Sequence, residues 1–142
     1  MVDRGTQVRI AAAVILDREG RMLLVRKRGS AMYMQPGGKI EHGETPAEAL
    51  SRELREEIAL DVAEAVPLGV FSAPAANEPD ATVIAEMFAA RSNTEPKIGA
   101  EIESMLWLDP QRPGTVDLAP LTRDHIVPLA RRLAAQPAGA LP

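Results

Sequence analysis

The 142-residue chain contains no cysteine and only four aromatic residues, one Trp, one Tyr and two Phe. The lack of cysteine excludes a disulfide scaffold, a zinc site with thiolate ligands, an iron–sulfur cluster and a thiol nucleophile. No apolar run approaches the roughly 20 residues that a transmembrane helix needs. The first residues also lack the apolar core of a secretory signal, so we expect a cytoplasmic protein with no membrane partner.

The chain also lacks an excess of positive charge. Its formal net charge is −4 at pH 7, so no nucleic-acid partner is expected from bulk electrostatics. The charge is unevenly distributed, with a net of +5 over residues 1–40, −6 over residues 41–64 and −3 over residues 65–142. A basic segment followed directly by a dense acidic one indicates a local electrostatic site.

Length and composition fit one folded domain. Hydrophobic residues make up 46% of the chain and charged residues 25%, as in ordinary globular domains. No internal repeat or low-complexity linker divides the chain. We therefore expect a single domain over residues 1–135, followed by a flexible tail over residues 136–142.

Apolar runs bounded by turn residues predict five strands. They are Val8–Leu16, Arg21–Lys27, Val66–Phe71, Thr82–Ala90 and Ile102–Leu108. The turn Asp17–Gly20 predicts that the first two strands pair as an antiparallel hairpin. A C-terminal helix is predicted within Thr122–Ala135, and Pro128 should delay or kink its start. Its inward-facing residues are predicted to be Ile126, Leu129, Ala130 and Leu133.

A second helix is predicted over Pro46–Ile58, where leucine or isoleucine recurs every four residues and forms one apolar stripe. Thr45 is a candidate N-cap, and Glu48 three residues later completes a capping box. Pro46 suits the first helical position because its missing N–H would have no partner there. The start of this helix is therefore specified by local sequence.

Three carboxylates, those of Glu53, Glu56 and Glu57, fall on one flank of this helix when it is drawn at about 100° per residue. Like charges this close repel each other. A divalent cation such as Mg²⁺ held between the carboxylates would offset that repulsion. Glu-rich helix faces are also commonly just solvated, so the charge pattern alone leaves both interpretations open.

The preceding segment favours the metal interpretation. No regular element is expected across residues 35–38, and Gly37 and Gly38 leave backbone groups open to close approach by a ligand. Lys39 follows directly, and the basic run Arg26–Arg28 ends the second predicted strand. A metal site with cations beside a glycine-rich loop is what a polyphosphate substrate requires.

Gly38, Glu44 and the run Arg52–Leu60 resemble the motif of the Nudix hydrolase family, G-x5-E-x7-R-E-U-x-E-E-x-G-U with U apolar. Ala59 occupies the position where the family usually has glycine. We expect this difference to concern the left-handed turn that ends the helix. Residues 36–46 are similar especially to the small mutator-type nucleoside triphosphate pyrophosphohydrolases.

The resemblance implies an α/β/α sandwich with a central mixed sheet. It also implies an enzyme that uses Mg²⁺ or Mn²⁺ to hydrolyse a nucleoside diphosphate linked to another moiety. A nucleoside triphosphate cleaved to monophosphate and pyrophosphate is the expected small-molecule substrate. An ADP-ribose or nucleotide-sugar pyrophosphatase and a non-catalytic nucleotide-binding module are the alternatives. Many family members are dimers, so a homodimer is compatible with the resemblance.

The resemblance further implies which residues act. The expected metal ligands are the carboxylates of Glu53, Glu56 and Glu57, with a carbonyl oxygen of Gly37 or Gly38. A carboxylate that the metal does not fully engage would be the general base. Some members use a glutamate from a later loop for this step, for which Glu101 and Glu103 are the candidates.

The remaining candidates concern orientation and substrate. Arg52 is expected to orient the acidic cluster by ion pairing, with Glu44 as a structural partner. Tyr33 could stack on a nucleotide base. The candidates for phosphate contact are Arg26, Arg28 and Lys39. Family members that act on oxidised purines read the base with side-chain amides, and the only asparagines, Asn77 and Asn93, fall in predicted loops, which weakens that specificity.

Overall fold

The computed structural model describes residues 5–76, 78–92 and 94–136. The strands in this part of the chain are β1 (Thr6–Val14), β2 (Met22–Lys27), β3 (Gly37–Lys39), β4 (Val62–Pro74), β5 (Ala81–Ser92) and β6 (Ile102–Leu108). The helices are α1 (Pro46–Ile58) and α2 (Val127–Ala134), the latter preceded by a π-helical turn at Thr122–Ile126. Asn77, Asn93 and residues 137–142 of the predicted tail lie outside the described residues.

Four strands form a mixed sheet in the order β3–β1–β5–β4, in which β1 and β5 are parallel and the other neighbours antiparallel. β2 and β6 form a separate antiparallel ribbon. The segment before β3 connects the two, because Met34 exchanges two backbone hydrogen bonds with Val25 and the carbonyl of Pro36 accepts from the Ala13 N–H. β3 therefore lies where the two sheets meet.

The predicted hairpin between the first two strands forms only next to its turn, and the expected pairing along the length of β1 and β2 is wrong. The turn at Asp17–Gly20 does form, with the Gly20 N–H donating to the Asp17 carbonyl at 3.1 Å. Next to it, Leu16 and Met22 form an antiparallel bridge, in which the Leu23 N–H donates to the Ile15 carbonyl at 3.0 Å. β2 itself pairs along its length with β6. The reason is that a strand has two edges, and those of β1 are taken by β3 and β5.

The short strand β3 was not expected from the sequence, which predicts no regular element across residues 35–38. Its three residues pair antiparallel with β1, with Gly38 opposite Ala11 and Gly37 opposite Ala12. This pairing uses only backbone N–H and C=O groups, so glycine does not prevent it. Glycine is in fact required at position 37, where a Cβ would collide with the backbone of Ala11 and Ala12.

Two hydrophobic clusters lie on the two faces of the mixed sheet. The first packs the α1 stripe of Leu50, Leu54 and Ile58 against one face. The second lies under α2 and includes all four residues predicted to face inward, Ile126, Leu129, Ala130 and Leu133. This layering confirms the α/β/α arrangement with a mixed sheet. No helix among the described residues is both long and apolar enough to cross a bilayer.

Both helices start where local sequence indicates. The Thr45 hydroxyl accepts from the Glu48 N–H at 3.1 Å, and the Glu48 carboxylate accepts from the Thr45 N–H at 2.9 Å, which completes the predicted capping box. α2 begins only at Val127, because Pro128 has no N–H to continue the α-helical hydrogen bonds of the preceding turn.

Candidate active site

The site begins where the backbone of β3 contacts α1. A Cβ on Gly38 would collide with the carboxyl group of Glu53 and force it to turn away, so glycine lets this carboxylate lie directly against the strand. One turn further along α1, the Glu57 carboxylate accepts a hydrogen bond of 3.1 Å from the Gly37 N–H. The two glycines and two of the three predicted metal-ligand glutamates therefore form one continuous polar surface.

Glu57 is the most buried carboxylate of this surface. Burial raises the pKa of its carboxyl group to about 7, against the opposing effects of the nearby Lys27 ammonium and the Gly37 N–H. The Lys27 nitrogen lies 3.6 Å from Glu57 Oε2. A carboxyl group with a pKa near neutrality can take up or release a proton at physiological pH.

Arg52 holds the other acidic groups together. Its guanidinium donates to both oxygens of Glu44, at 2.6 and 2.9 Å, and to Glu53 at 2.9 Å. It also donates to the Lys39 carbonyl at 2.9 Å and to Glu56 at 3.3 Å. The hydrogen bond from Arg52 lowers the pKa of Glu44 to about 2. Arg52 thus joins the segment after β3 to the acidic flank of α1.

The carboxylates supply oxygen donors, the ligands that Mg²⁺ and Mn²⁺ prefer. Within the described residues, no group of three or more His, Asp or Glu is arranged as a ready cage for a metal ion. Glu53 and Glu56 are turned towards Arg52, and Glu57 towards Gly37 and Lys27. The donor chemistry fits a hard divalent cation, and binding one requires these side chains to reorient.

Lys27 belongs to this site, although the sequence predicts it only as one member of the basic run Arg26–Arg28 and gives it no individual role. Its place follows from the strand, because Leu23 and Val25 both pack in the cluster under α1. The sequence did not show this face, since all four residues from Met22 to Val25 are apolar. A residue two positions further along the strand points to the same face. Lys27 continues that series and therefore meets Glu57 on α1.

The predicted phosphate-contact residues are held in different places. The Arg26 guanidinium donates to the Ser30 carbonyl at 3.0 Å. Arg28 lies just past β2, donates to the Ala100 carbonyl at 2.7 Å and pairs with Glu103. Lys39 is exposed beside the glycines. Arg28 and Glu103, predicted as a phosphate contact and a general base, are thus bound to each other.

Tyr33 is anchored rather than free in its loop. Its hydroxyl lies 2.7 Å from Ser104 Oγ, and the Arg26 guanidinium lies 5.9 Å from its ring centroid. A buried amide that the sequence does not single out follows two residues later, where Gln35 Oε1 accepts from the Thr122 hydroxyl at 2.7 Å. The sequence feature that could have indicated its importance is its position immediately before Pro36 and the glycines.

The family model described as the NUDIX domain matches residues 6–130, most of the chain. The chain belongs to the Nudix family. This Nudix domain contains the elements that the motif describes, a glycine strand followed by a helix with three carboxylates on one flank. Ala59, which replaces the usual glycine of the motif, keeps the backbone conformation expected there. It is left-handed, with φ of 55°, a conformation that glycine adopts readily.

Two curated relatives match parts of the Nudix domain. An 8-oxo-dGTP diphosphatase from Proteus vulgaris is 39% identical over 66 residues, covering 44% of this chain and 58% of the relative. An RNA pyrophosphohydrolase from Halorhodospira halophila is 43% identical over 56 residues, covering 39% of this chain and 31% of the relative. The chain thus spans less than two thirds of the length of these relatives.

Among solved structures, the MutT protein from Methanosarcina mazei Go1 superposes with a TM-score of 0.76. The match covers 95% of this chain and all of that chain at 19% sequence identity. At this identity the likeness establishes the fold and not the substrate.

Proposed function

We propose that this Nudix domain is a metal-dependent pyrophosphohydrolase that cleaves a nucleoside diphosphate linked to another moiety. Its preferred substrate is a nucleoside triphosphate, converted to the monophosphate and pyrophosphate. The observation that carries the proposal is the direct packing of the glycine backbone of β3 against the carboxylates of α1. That surface combines oxygen donors for a cation with backbone groups that a phosphate chain can approach closely.

Glu53, Glu56 and Glu57, with the Gly38 carbonyl, are the residues that would hold Mg²⁺ or Mn²⁺. The cation would neutralise phosphate charge and lower the pKa of a water molecule. Before it binds, Arg52 and Lys27 balance the charge of the carboxylates. Arg52 and Glu44 do not touch the substrate in this proposal, and they orient the acidic flank instead.

The attacking water must lose its proton to a base within reach of the site. We assign this role first to the carboxylates of α1, and among them to one that the cation does not fully engage. Glu103 is the second candidate, and it would have to leave its ion pair with Arg28 to accept a proton. In either case the water oxygen bonds to a phosphorus as the bond from that phosphorus to the bridging oxygen breaks, which yields the monophosphate and pyrophosphate.

The substrate would be bound by cations and by one aromatic ring. Lys39 is exposed beside the glycines and would contact phosphate oxygens, whereas Arg28 would first have to leave its ion pair with Glu103. Arg26 lies next to Tyr33. Tyr33 would offer its ring to the base while its hydroxyl remains on Ser104. The proposal places the protein in the cytoplasm. A homodimer is compatible with the family, and light scattering of the purified protein would distinguish it from a monomer.

The test is a substrate panel with the purified protein and Mg²⁺ or Mn²⁺ at neutral and alkaline pH. The panel contains dNTPs, 8-oxo-dGTP, ADP-ribose, nucleotide sugars, dinucleoside polyphosphates and an RNA with a 5′-triphosphate. We expect a dNTP to yield dNMP and pyrophosphate, with no product when EDTA is present. Formation of dNDP and phosphate would contradict the proposed bond cleavage.

The other outcomes of the panel select among the alternatives. Preferential cleavage of ADP-ribose or a nucleotide sugar would replace the triphosphate assignment. Binding of nucleotides without cleavage of any substrate would support the non-catalytic module and overturn the enzyme proposal. The RNA substrate is included because one relative is an RNA pyrophosphohydrolase.

A further inference from the structure

The carboxyl end of α1 is capped by a loop from another part of the chain. The carbonyl of Glu57 accepts a hydrogen bond of 2.7 Å from the Gly99 N–H, and that of Ile58 accepts one of 2.8 Å from the Lys97 N–H. These carbonyls belong to the last four of the helix, which have no partner within it. The loop 97–101 therefore satisfies the backbone of the same turn that carries Glu56 and Glu57.

Glycine is the residue that makes this contact feasible. A Cβ on residue 99 would lie 2.5 Å from the Glu56 carbonyl oxygen and 2.7 Å from that of Glu57. Both contacts are with backbone atoms, which cannot rotate away as the end of a side chain can. Any larger residue must therefore displace the loop, the helix end, or both.

The loop is also fixed on its other side. The Arg28 N–H donates to the Glu101 carbonyl at 3.0 Å, and the Arg28 side chain donates to that of Ala100 at 2.7 Å. The Ile102 N–H donates to the Gly99 carbonyl at 3.2 Å, and Ile102 is fully buried. Because the loop is attached to β2 as well as to α1, it cannot absorb a displacement at residue 99 by moving freely.

We propose that Gly99 is a positioning residue that sets the backbone of Glu56 and Glu57 relative to the glycine strand β3. It acts through the backbone contact, which keeps the Glu57 carboxylate aimed at the Gly37 N–H. This inference rests on the proposed function, since that function gives these carboxylates a metal ion to bind. Displacing the supports of metal ligands lowers metal affinity by about 10- to 100-fold.

The first test compares Gly99→Ala with Gly114→Ala in the full chain. Gly114 has a φ of +67°, so alanine strains its backbone, but a Cβ there meets nothing within 4 Å. We expect Gly99→Ala to weaken Mn²⁺ binding about tenfold and to lower kcat more than it raises the nucleotide KM. Gly114→Ala should bind Mn²⁺ as the unsubstituted protein does. Equal Mn²⁺ affinity in the two folded variants would overturn the proposal.

A second pair of variants removes one of the two capping hydrogen bonds without adding a side chain next to α1. Lys97→Pro removes the N–H that donates to Ile58, whereas Lys97→Ala retains it. Lys97→Pro should weaken Mn²⁺ binding and Lys97→Ala should not. If Gly99→Ala does not fold, this pair decides. Identical affinities in its two members would show that the loop does not position the end of α1, which would refute the role of Gly99 in that loop.

Amide hydrogen exchange of Gly37 provides a readout that needs neither metal nor activity. In the metal-free protein this N–H is bonded to Glu57, and we expect its exchange to be faster in Gly99→Ala and Lys97→Pro than in their controls. Unchanged exchange would overturn the inference. If the unsubstituted protein binds no Mn²⁺ and cleaves nothing, the proposed function fails, while the Gly37 exchange still shows whether Gly99 positions Glu57.

Discussion

At the scale of single residues, three glutamates on one flank of a helix have very different surroundings. The side chain of Glu57 is 6% exposed, that of Glu53 17% and that of Glu56 61%. Burial raises the pKa of Glu57, whereas Glu53 and Glu56 pair with Arg52. The motif spacing places the three together, and their different burial gives them different chemistry.

Replacing Glu57 by glutamine should abolish activity and leave the fold intact. Glutamine keeps the shape of the side chain and can still accept from the Gly37 N–H, but it cannot bind a cation as a carboxylate does. We expect kcat/KM to fall by at least about 100-fold, with an unchanged circular dichroism spectrum. Glu64→Gln, at an exposed position of β4, is the control. An active Glu57→Gln variant would remove Glu57 from the proposed metal ligands.

The raised pKa of the Glu57 carboxyl group predicts that the stability of the metal-free protein depends on pH. This pKa rises from 4.5 to about 7 on folding, so between these values the folded state holds a proton that the unfolded state releases. The free energy of unfolding should therefore fall as pH rises through this interval, by on the order of 3 kcal/mol at most. Urea denaturation at pH 5 and pH 8 measures the change, and Glu57→Gln should lack this contribution. An equal pH dependence in both proteins would contradict the raised pKa.

At the scale of elements, α1 and β3 differ in what specifies them. α1 begins and ends where the sequence predicts because the capping box, Pro46 and the apolar repeat are all local signals. β3 has no side-chain pattern of its own, and it exists because β1 offers an unpaired edge to its backbone. Local signals can be read from sequence, whereas backbone pairing over a distance cannot.

The end of α1 provides a prediction at this scale. Ala59 has a left-handed backbone with φ of 55° and ψ of 30°, which costs an L-residue other than glycine about 1 kcal/mol. Ala59→Gly should remove that strain and raise the free energy of unfolding by up to about 1 kcal/mol, less the entropy that glycine adds to the unfolded chain. Ala47→Gly, at an exposed position of α1, should instead destabilise the protein. Thermal denaturation compares the two, and a loss of stability in Ala59→Gly would contradict this account of the helix end.

At the scale of the whole molecule, the site depends on parts of the chain that carry none of its chemistry. The buried hydrogen bond between Thr122 and Gln35 ties the turn before α2 to the segment that leads into β3. The loop 97–101 caps α1 from the side of β6. The glycine strand and the acidic helix are therefore supported from opposite faces of the mixed sheet.

The sequence by itself determined the helix α1, its acidic flank, the inward face of α2 and the family. These features depend on spacing along a single segment, where the period of the helix converts sequence distance directly into position. The same locality explains why the spacing of the motif is enough to identify Ala59 as a helix-end residue. Its observed left-handed conformation agrees with that interpretation.

Only the tertiary structure decided the partner of β2, the place of Lys27 beside Glu57, the ion pair of Arg28 with Glu103 and the contact of Gly99 with the end of α1. Each of these joins residues that are far apart in the chain. Such contacts are set by which strand edges remain free and by how closely two backbones approach, and both are properties of the packed molecule. The composition and spacing of a single segment do not contain them.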